Sequence, residues 1–336
     1  MLFSLKSNKM FFLLILFTST LISISANSWF GCWIGLEINL LSFIPLISNS
    51  KNMLSNEASL KYFLIQSIAS INFLFMILLK LIMMNFFFNN ISSLLINLPM
   101  FMKMGSTPFH FWFPNIVEGL SWINNFILMT WQKISPMILL SYYFNKNFLI
   151  FILILNSIIG AIGGLNQTSL RKIMAFSSIN NLSWMLSSML ISENLWLFYF
   201  MFYSFLTSIM FFLFNTFNMF FINQLYTLNI NSMLKFSFLI NFLSLGGLPP
   251  FIGFFSKWII INFLMINNFK IISFIFIMMS LIMLFFYIRI SYSSLMFNYL
   301  KLKWFSFFIK NKNNNIIYLI TMMSIMGMIF SNLFFL

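Results

Sequence analysis

Apolar residues run along this chain in stretches of about twenty, and short segments between them hold most of the charged residues. Twenty residues of α-helix are about 30 Å long, which matches the hydrocarbon core of a bilayer. The alternating ten-residue pattern of a membrane β-barrel is absent from the sequence. The pattern therefore predicts an all-α polytopic membrane protein with eleven spans, near residues 10–26, 28–48, 57–84, 88–112, 121–144, 147–168, 171–191, 194–223, 232–263, 270–298 and 314–335.

Two predicted spans, the fourth and the ninth, contain the same short motif, Gly-x-x-Pro-Phe, at 105–109 and at 247–251. Glycine and proline weaken or remove backbone hydrogen bonds inside a helix, so the freed groups must face protein or water. Paired helix breaks are typical of transporters that are built from repeats. The residues that mark the predicted breaks are Gly105, Pro108, Gly247, Pro249 and Pro250.

The two breaks are five spans apart, and this odd offset predicts an inverted repeat. Five spans that enter from one side are then followed by five that enter from the other. The predicted division is a first repeat at 1–145, a second repeat at 146–298, and a basic loop with the last span at 299–336. Apart from topology and the shared motif, the halves have little similarity.

The formal net charge is +14, and most of the cations fall in the gaps between the spans. Cytoplasmic or matrix loops of membrane proteins carry an excess of Lys and Arg, so this placement favours a membrane topology over binding of nucleic acid. The predicted N-terminal side holds Lys6, Lys9, Lys51, Lys61, Arg171, Lys172, Lys235, Lys301, Lys303, Lys310 and Lys312, and the other side holds Lys80, Lys146 and Lys270. The N-terminus is therefore expected on the side where the protein is made.

The sequence contains one Cys and one His, which excludes a disulfide framework and a His-rich metal site.

The ionisable residues that matter most lie well inside predicted spans: Glu37, Lys103, Lys133 and Lys257. A cation at the centre of a bilayer costs roughly 2.5–3.5 kcal/mol on insertion scales, so such residues usually have a function. A lysine whose carboxylate partner moves can bind and release a proton. We therefore predict a proton relay, with Glu37 as the counter-charge of Lys103.

Structural roles remain open for each relay residue. Glu37 can be a fixed partner of one lysine, and Lys133 or Lys257 can extend its ammonium group to an interface. His110, which follows the first break, is predicted either to pass protons to solvent or to be a hydrogen-bonded structural residue.

The sequence has no P-loop, no CxxC motif and no Rossmann glycine pattern after a strand. This chain alone therefore has no residues for redox chemistry or nucleotide hydrolysis, and its driving force must come from a partner.

Several longer stretches carry a resemblance to a known family. They are 27–39 with Glu37, 57–63 with Lys61, 108–114 with His110, 130–133 with Lys133, 163–172, and 246–251. Here the chain resembles the mitochondrially encoded, antiporter-like subunits of respiratory complex I, NADH–ubiquinone oxidoreductase, in the shorter animal form that lacks three N-terminal helices. The similarity covers about residues 27–260, and the rest matches mainly in hydropathy.

The resemblance implies proton translocation that is driven by ubiquinone reduction elsewhere in the complex. It places the relay on Glu37, Lys103, Lys133 and Lys257. We predict His110 and Lys61 as auxiliary residues. The resemblance also implies no cofactor in this chain, because FMN, iron–sulfur clusters and ubiquinone belong to other subunits. The implied partners are other membrane subunits, including neighbouring antiporter-like ones, and lipid. The implied location is the mitochondrial inner membrane, with the N-terminus in the matrix and the C-terminus in the intermembrane space.

Two other functions fit the sequence. A cation/proton antiporter subunit can use the same fold without a redox partner, and a structural subunit can space its neighbours in a membrane complex.

Overall fold

The computed structural model describes residues 7–49, 51–82, 89–143, 145–227, 232–296 and 311–325. These residues are mainly helical, and an isolated antiparallel bridge joins Ser169 and Phe221. The described helices are α1 (Ser7–Ser25), α2 (Trp29–Ile47), α3 (Met53–Ile82), α4 (Asn89–Met104), α5 (Trp112–Gly119), α6 (Trp122–Met129), α7 (Trp131–Tyr142), α8 (Lys146–Gly164), α9 (Leu170–Ile191), α10 (Glu193–Phe217), α11 (Ile222–Thr227), α12 (Ser232–Gly246), α13 (Ile252–Ile266), α14 (Lys270–Met296) and α15 (Asn311–Ile325).

Six helices in the described ranges are long and apolar enough to cross a membrane: α1, α2, α3, α8, α10 and the Lys270–Tyr292 part of α14. Three shorter apolar helices, Ser93–Met104, Met233–Gly246 and Ile252–Ile266, flank the two predicted breaks. The all-α polytopic class is confirmed, whereas the number of eleven spans stays a prediction. The predicted basic loop, apart from its final residues, and the end of the last span lie outside the described residues.

The first Gly-x-x-Pro-Phe motif lies between α4 and α5. Gly105 has a φ of 69°, a left-handed conformation that favours glycine, and the Thr107–Pro108 peptide is cis. The second motif lies between α12 and α13 in the same way. There Gly247 has a φ of 83°, and the Pro249–Pro250 peptide is cis.

The fifth predicted span, 121–144, is not one helix but two, because α6 ends at Met129 and α7 begins at Trp131. Thr130 separates them with φ −113° and ψ −72°. Both its backbone N–H and its hydroxyl donate to the carbonyl of Phe126, at 3.0 and 2.7 Å. A threonine hydroxyl that bonds to the preceding turn competes with regular helix geometry, and this local effect leaves no mark in hydropathy.

The chain forms two compact units, residues 1–152 and 153–336. Aromatic side chains fill the interior of each unit, with Phe43, Phe73 and Phe101 in the first and Trp184, Phe242 and Phe276 in the second. Many large apolar side chains on the helices remain exposed, among them Leu60, Ile71, Met201 and Ile271. Exposed apolar surface on this scale is expected of helices whose solvent is lipid.

Candidate functional site

Glu37 lies in the middle of α2. The hydroxyl of Ser28 caps this helix by accepting a hydrogen bond from the N–H of Gly31. A side chain at Gly35 would lie 2.7 Å from the backbone nitrogen of Ser23, so only glycine allows α1 and α2 to pack this closely. The Oε2 atom of Glu37 is buried and has no hydrogen-bond partner among the described residues. A buried carboxylate oxygen without a partner is costly, so nearby cations matter for this residue.

Lys103 lies in the last turn of α4, and its charge interacts with that of Glu37. The residue is 8% exposed, and its backbone carbonyl accepts a hydrogen bond of 3.2 Å from Nε2 of Gln66. No ion pair within 4.0 Å joins Glu37 to Lys103 in the described structure. The two groups therefore interact across a gap rather than by direct contact.

A small polar cavity adjoins Lys103. Its volume is about 10 Å³, which is close to the space that one water molecule needs. The hydroxyl of Ser135 is fully buried and has no partner in the described part of the chain. The polar residues that line the cavity with Lys103 are Asn39, Tyr62, Gln66, Gln132 and Ser135. No motif or charge in the sequence distinguishes these neutral residues from the many others in the chain.

Lys133 is the third residue of α7 and is 1% exposed. Its Nζ atom lies 5.4 Å from the ring centroid of Phe113, within the range of a cation–π contact. Phe113 is the second residue of α5, directly after the first break. A Cβ on Gly105 would lie 2.9 Å from the Phe113 side chain. The break and Lys133 are thus linked through one aromatic ring.

Lys257 lies on α13 in the second unit, close to the end of α12. Its Nζ donates to the carbonyls of Gly246 at 2.9 Å and Leu245 at 3.4 Å. These are among the last carbonyls of α12, which have no partner within that helix. A cation at this position also interacts favourably with the negative end of the helix dipole.

A second cavity of about 10 Å³ adjoins Lys257, with Asn181, Tyr199, Tyr203 and Ser256 as polar lining residues. The hydroxyl of Tyr199 donates to Oδ1 of Asn181 at 2.8 Å. Each unit therefore places a lysine of its broken helix beside a polar cavity with an asparagine and a tyrosine in its wall. In the sequence, the density of Ser and Asn in α9 is the signal that could have pointed to this site.

The two predicted auxiliary residues lie in different surroundings. His110 is buried within the first break, and its ring lies 4.1 Å from that of Phe111. Lys61 is exposed on α3 and forms an ion pair with Glu57 at 2.5 Å, one helical turn away. The structure thus places Glu37, Lys103, Lys133 and His110 in the first unit and Lys257 in the second. Among the described residues, no group of three or more His, Cys, Asp or Glu side chains is placed to hold a metal ion.

The fold is shared with solved membrane complexes. It is similar to a chain of respiratory complex I from Thermus thermophilus, with a TM-score of 0.83, 18% identity, and coverage of 96% of this chain and 78% of that one. A chain of the Mrp complex from Dietzia sp. DQ12-45-1b gives a TM-score of 0.73, 15% identity, and coverage of 83% and 59%. The fold thus defines a structural class, that of polytopic helical membrane proteins folded like these two chains.

Sequence comparison places the chain within that class. Residues 26–284 match the family described as NADH:quinone oxidoreductase/Mrp antiporter, TM. NADH-ubiquinone oxidoreductase chain 2 of Aedes aegypti is 49% identical, over 98% of both chains. The corresponding protein of Anopheles gambiae is 48% identical over 92% of this chain and 91% of that one, and that of Lemur catta is 37% identical over 88% and 89%. The chain therefore belongs to the NADH:quinone oxidoreductase/Mrp antiporter family and, within it, to the NADH-ubiquinone oxidoreductase chain 2 proteins.

Proposed function

We propose that this chain is a proton-translocating membrane subunit of NADH:ubiquinone oxidoreductase. The observation that carries the proposal is the placement of three lysines at or near helix interruptions, in a chain of this family. Lys103 and Lys133 are buried and Lys257 is partly buried. The proposed relay runs from Glu37 and Lys103 through Lys133 to Lys257. Quinone reduction in other subunits supplies the free energy, and this chain itself carries no redox group.

The physical basis is the strong interaction of charges in a medium of low dielectric constant. Moving one proton against a potential of 100 mV costs about 2.3 kcal/mol. A small displacement of Glu37 relative to Lys103 changes the electrostatic energy of the protonated lysine. Because the two groups are not in direct contact, the displacement does not have to break an ion pair first.

The setting of this subunit is part of the same proposal. It lies in the mitochondrial inner membrane, with its N-terminus in the matrix and its C-terminus in the intermembrane space. Its partners are other membrane subunits of the complex, among them antiporter-like neighbours, and it binds no cofactor itself. FMN, iron–sulfur clusters and ubiquinone act in other subunits. Its spans form two inverted repeats, 1–145 and 146–298, followed by 299–336.

Replacement of Lys133 by Leu in the assembled complex tests the relay. We expect electron transfer to become uncoupled or inhibited, with fewer protons moved per electron. Lys51→Leu is the matched control, because Lys51 is exposed and lies outside the helices. An unchanged number of protons per electron in the Lys133 variant would show that Lys133 is not in the relay. It would also favour a structural, spacing role for the subunit.

The fold is also similar to that of a chain of the Mrp complex, and a second candidate function is therefore that of a cation/proton antiporter subunit. Transport by the purified, reconstituted complex separates the two. Electron-coupled proton release that does not depend on sodium excludes the antiporter function, whereas sodium movement coupled to protons without a redox substrate supports it.

A further inference from the structure

One hydrogen bond joins the helix of Glu37 directly to the helix of Lys133. Nε2 of Gln132 on α7 donates to Oδ1 of Asn39 on α2 at 2.8 Å. Asn39 is 3% exposed and comes two residues after Glu37, while Gln132 immediately precedes Lys133. Neither Asn39 nor Gln132 is itself a member of the proposed relay.

The position of this bond allows it to transmit motion. A helix rises 1.5 Å per residue, so each amide lies within about 3 Å along the helix axis of its relay residue. A side-chain hydrogen bond has a narrow distance range, about 2.7–3.2 Å between heavy atoms. A shift of α2 at Glu37 must therefore either move α7 as well or break the bond between Asn39 and Gln132.

The surroundings offer Gln132 an alternative arrangement. Asn39 and Gln132 line the cavity that also contains Lys103 and Ser135. The Ser135 hydroxyl is buried and has no partner among the described residues. Gln132 thus shares the wall of a cavity of about 10 Å³ with an unpaired hydroxyl and other polar groups. A link with two discrete arrangements is what coupling between two sites requires.

We propose that Asn39 and Gln132 are positioning residues whose hydrogen bond couples the displacement of Glu37 to the position of Lys133. This inference rests on the proposed function, since it assigns the connection between two members of the relay. The two amides move no proton themselves. They determine whether α2 and α7 shift together.

The test uses single variants and a swap in the assembled complex. Gln132→Met keeps the length of the side chain and removes the donor, and Asn39→Leu keeps the volume and removes the acceptor. The double variant Asn39→Gln with Gln132→Asn exchanges a long and a short amide, so the combined length across the gap is kept. Asn124→Leu is the matched control, because Nδ2 of Asn124 donates to the carbonyl of Leu46 at 2.9 Å and also connects the fifth predicted span to α2, away from the cavity.

The readout is the number of protons moved per electron, measured together with the rate of quinone reduction and the amount of assembled complex. We expect each single variant to lower protons per electron by about twofold or more while quinone reduction continues. The swap is expected to restore most of the loss. A merely structural role would lower assembly and both activities together, as in a general loss of stability.

Three results would overturn the proposal. The first is a proton-to-electron ratio in Gln132→Met and Asn39→Leu equal to that of Asn124→Leu. The second is a swap variant no better than the single variants. The third is failure of both single variants to assemble when Asn124→Leu assembles, which would make the amides structural. If Lys133→Leu abolishes pumping and Gln132→Met does not, the proposed function stands and only the coupling role of the amides is wrong.

Discussion

The three lysines of the proposed relay are held in different ways. Lys103 lies in the last turn of α4, and Lys257 on α13 donates to the last carbonyls of α12. In both places the negative end of a helix dipole favours a cation. Lys133 lies in the first turn of α7, where the dipole has the opposite sign, and the face of Phe113 is turned towards it. The lysine in the middle of the proposed relay thus has the least favourable helix environment for its charge.

The two adjacent glycines at the second break should respond differently to alanine. Gly247 has φ 83°, and a Cβ there would lie 3.0 Å from both Cδ and Nζ of Lys257. We expect Gly247→Ala to cost about 1–3 kcal/mol in backbone strain and to displace Lys257 from the carbonyls of Leu245 and Gly246. The thermal midpoint and the protons per electron of the solubilised, reconstituted complex measure both effects.

Gly246→Ala is the control for that prediction. A Cβ at Gly246 would meet only ordinary contacts, at 3.5 Å, and Gly246 is the last residue of α12 with no positive φ. Its replacement should leave pumping intact. Equal losses in the two alanine variants would mean that the left-handed conformation of Gly247 and its contact with Lys257 are unimportant.

At the scale of single residues, the charged members of the candidate site could be predicted from the sequence, but their neutral neighbours could not. Lys103, Lys133 and Lys257 could be singled out because cations are rare inside membrane spans. Asn39, Gln132, Ser135 and Tyr199 could not, because neutral polar residues occur throughout this chain. Their importance depends on which helices face one another, and hydropathy contains no such information. Whether the charged residues form the relay stays a prediction.

Between elements, α12 and α13 approach each other closely at Gly253. A Cβ at Gly253 would lie 1.7 Å from the carbonyl oxygen of Ser244, so the two helix segments pack backbone against backbone. Gly253→Ala must push them apart, and overpacking of this kind typically costs about 1–3 kcal/mol or more. We expect less assembled complex and a lower thermal midpoint, measured by native gel electrophoresis and thermal inactivation.

A milder replacement provides the comparison for Gly253→Ala. At Gly164, the nearest atom to an added Cβ is the ring edge of Phe286, at 3.0 Å. A side-chain ring can move by a few tenths of an ångström, whereas a backbone carbonyl inside a helix cannot move as easily. Similar assembly of the Gly253→Ala and Gly164→Ala complexes would argue against tight backbone packing between α12 and α13.

The elements themselves were only partly predictable. Hydropathy located α1, α2, α3, α8 and α10, because each is a long run of apolar residues. It did not reveal α5, which is short and contains polar residues, or the division between α6 and α7 at Thr130. Both features depend on local hydrogen bonds and on tertiary contacts.

For the molecule as a whole, the distribution of cations predicts which loops face the matrix. Lys51 and Lys146 are both exposed, and the charge bias assigns them to opposite sides of the membrane. The native Cys32 is 3% exposed and gives little background to thiol labelling. In mitochondria stripped of their outer membrane, an impermeant maleimide should label Lys146→Cys and should not label Lys51→Cys until the inner membrane is opened.

The reverse labelling pattern would place the N-terminus in the intermembrane space and would reject the predicted orientation. Labelling of both positions from outside would show that Lys51 and Lys146 do not lie on opposite sides.

The membrane character of the whole molecule could be predicted from the sequence, since no soluble core accommodates 61% hydrophobic residues in runs of this length. The number of spans could not be predicted in the same way, because an interrupted helix can cross the membrane as two short helices and the length of an apolar run then does not give the number of helices.

The bonds from Lys257 to the carbonyls of Leu245 and Gly246 have a thermodynamic consequence. An ammonium group makes charge-assisted hydrogen bonds to these oxygens, and a neutral amine makes weaker ones. Proton release at Lys257 therefore loosens the end of α12, and any force that moves the end of α12 changes proton binding at Lys257. Linkage requires the two effects to have the same free energy. In the proposed relay, the second helix break thus converts mechanical displacement into proton affinity, and linkage makes the conversion equal in the reverse sense.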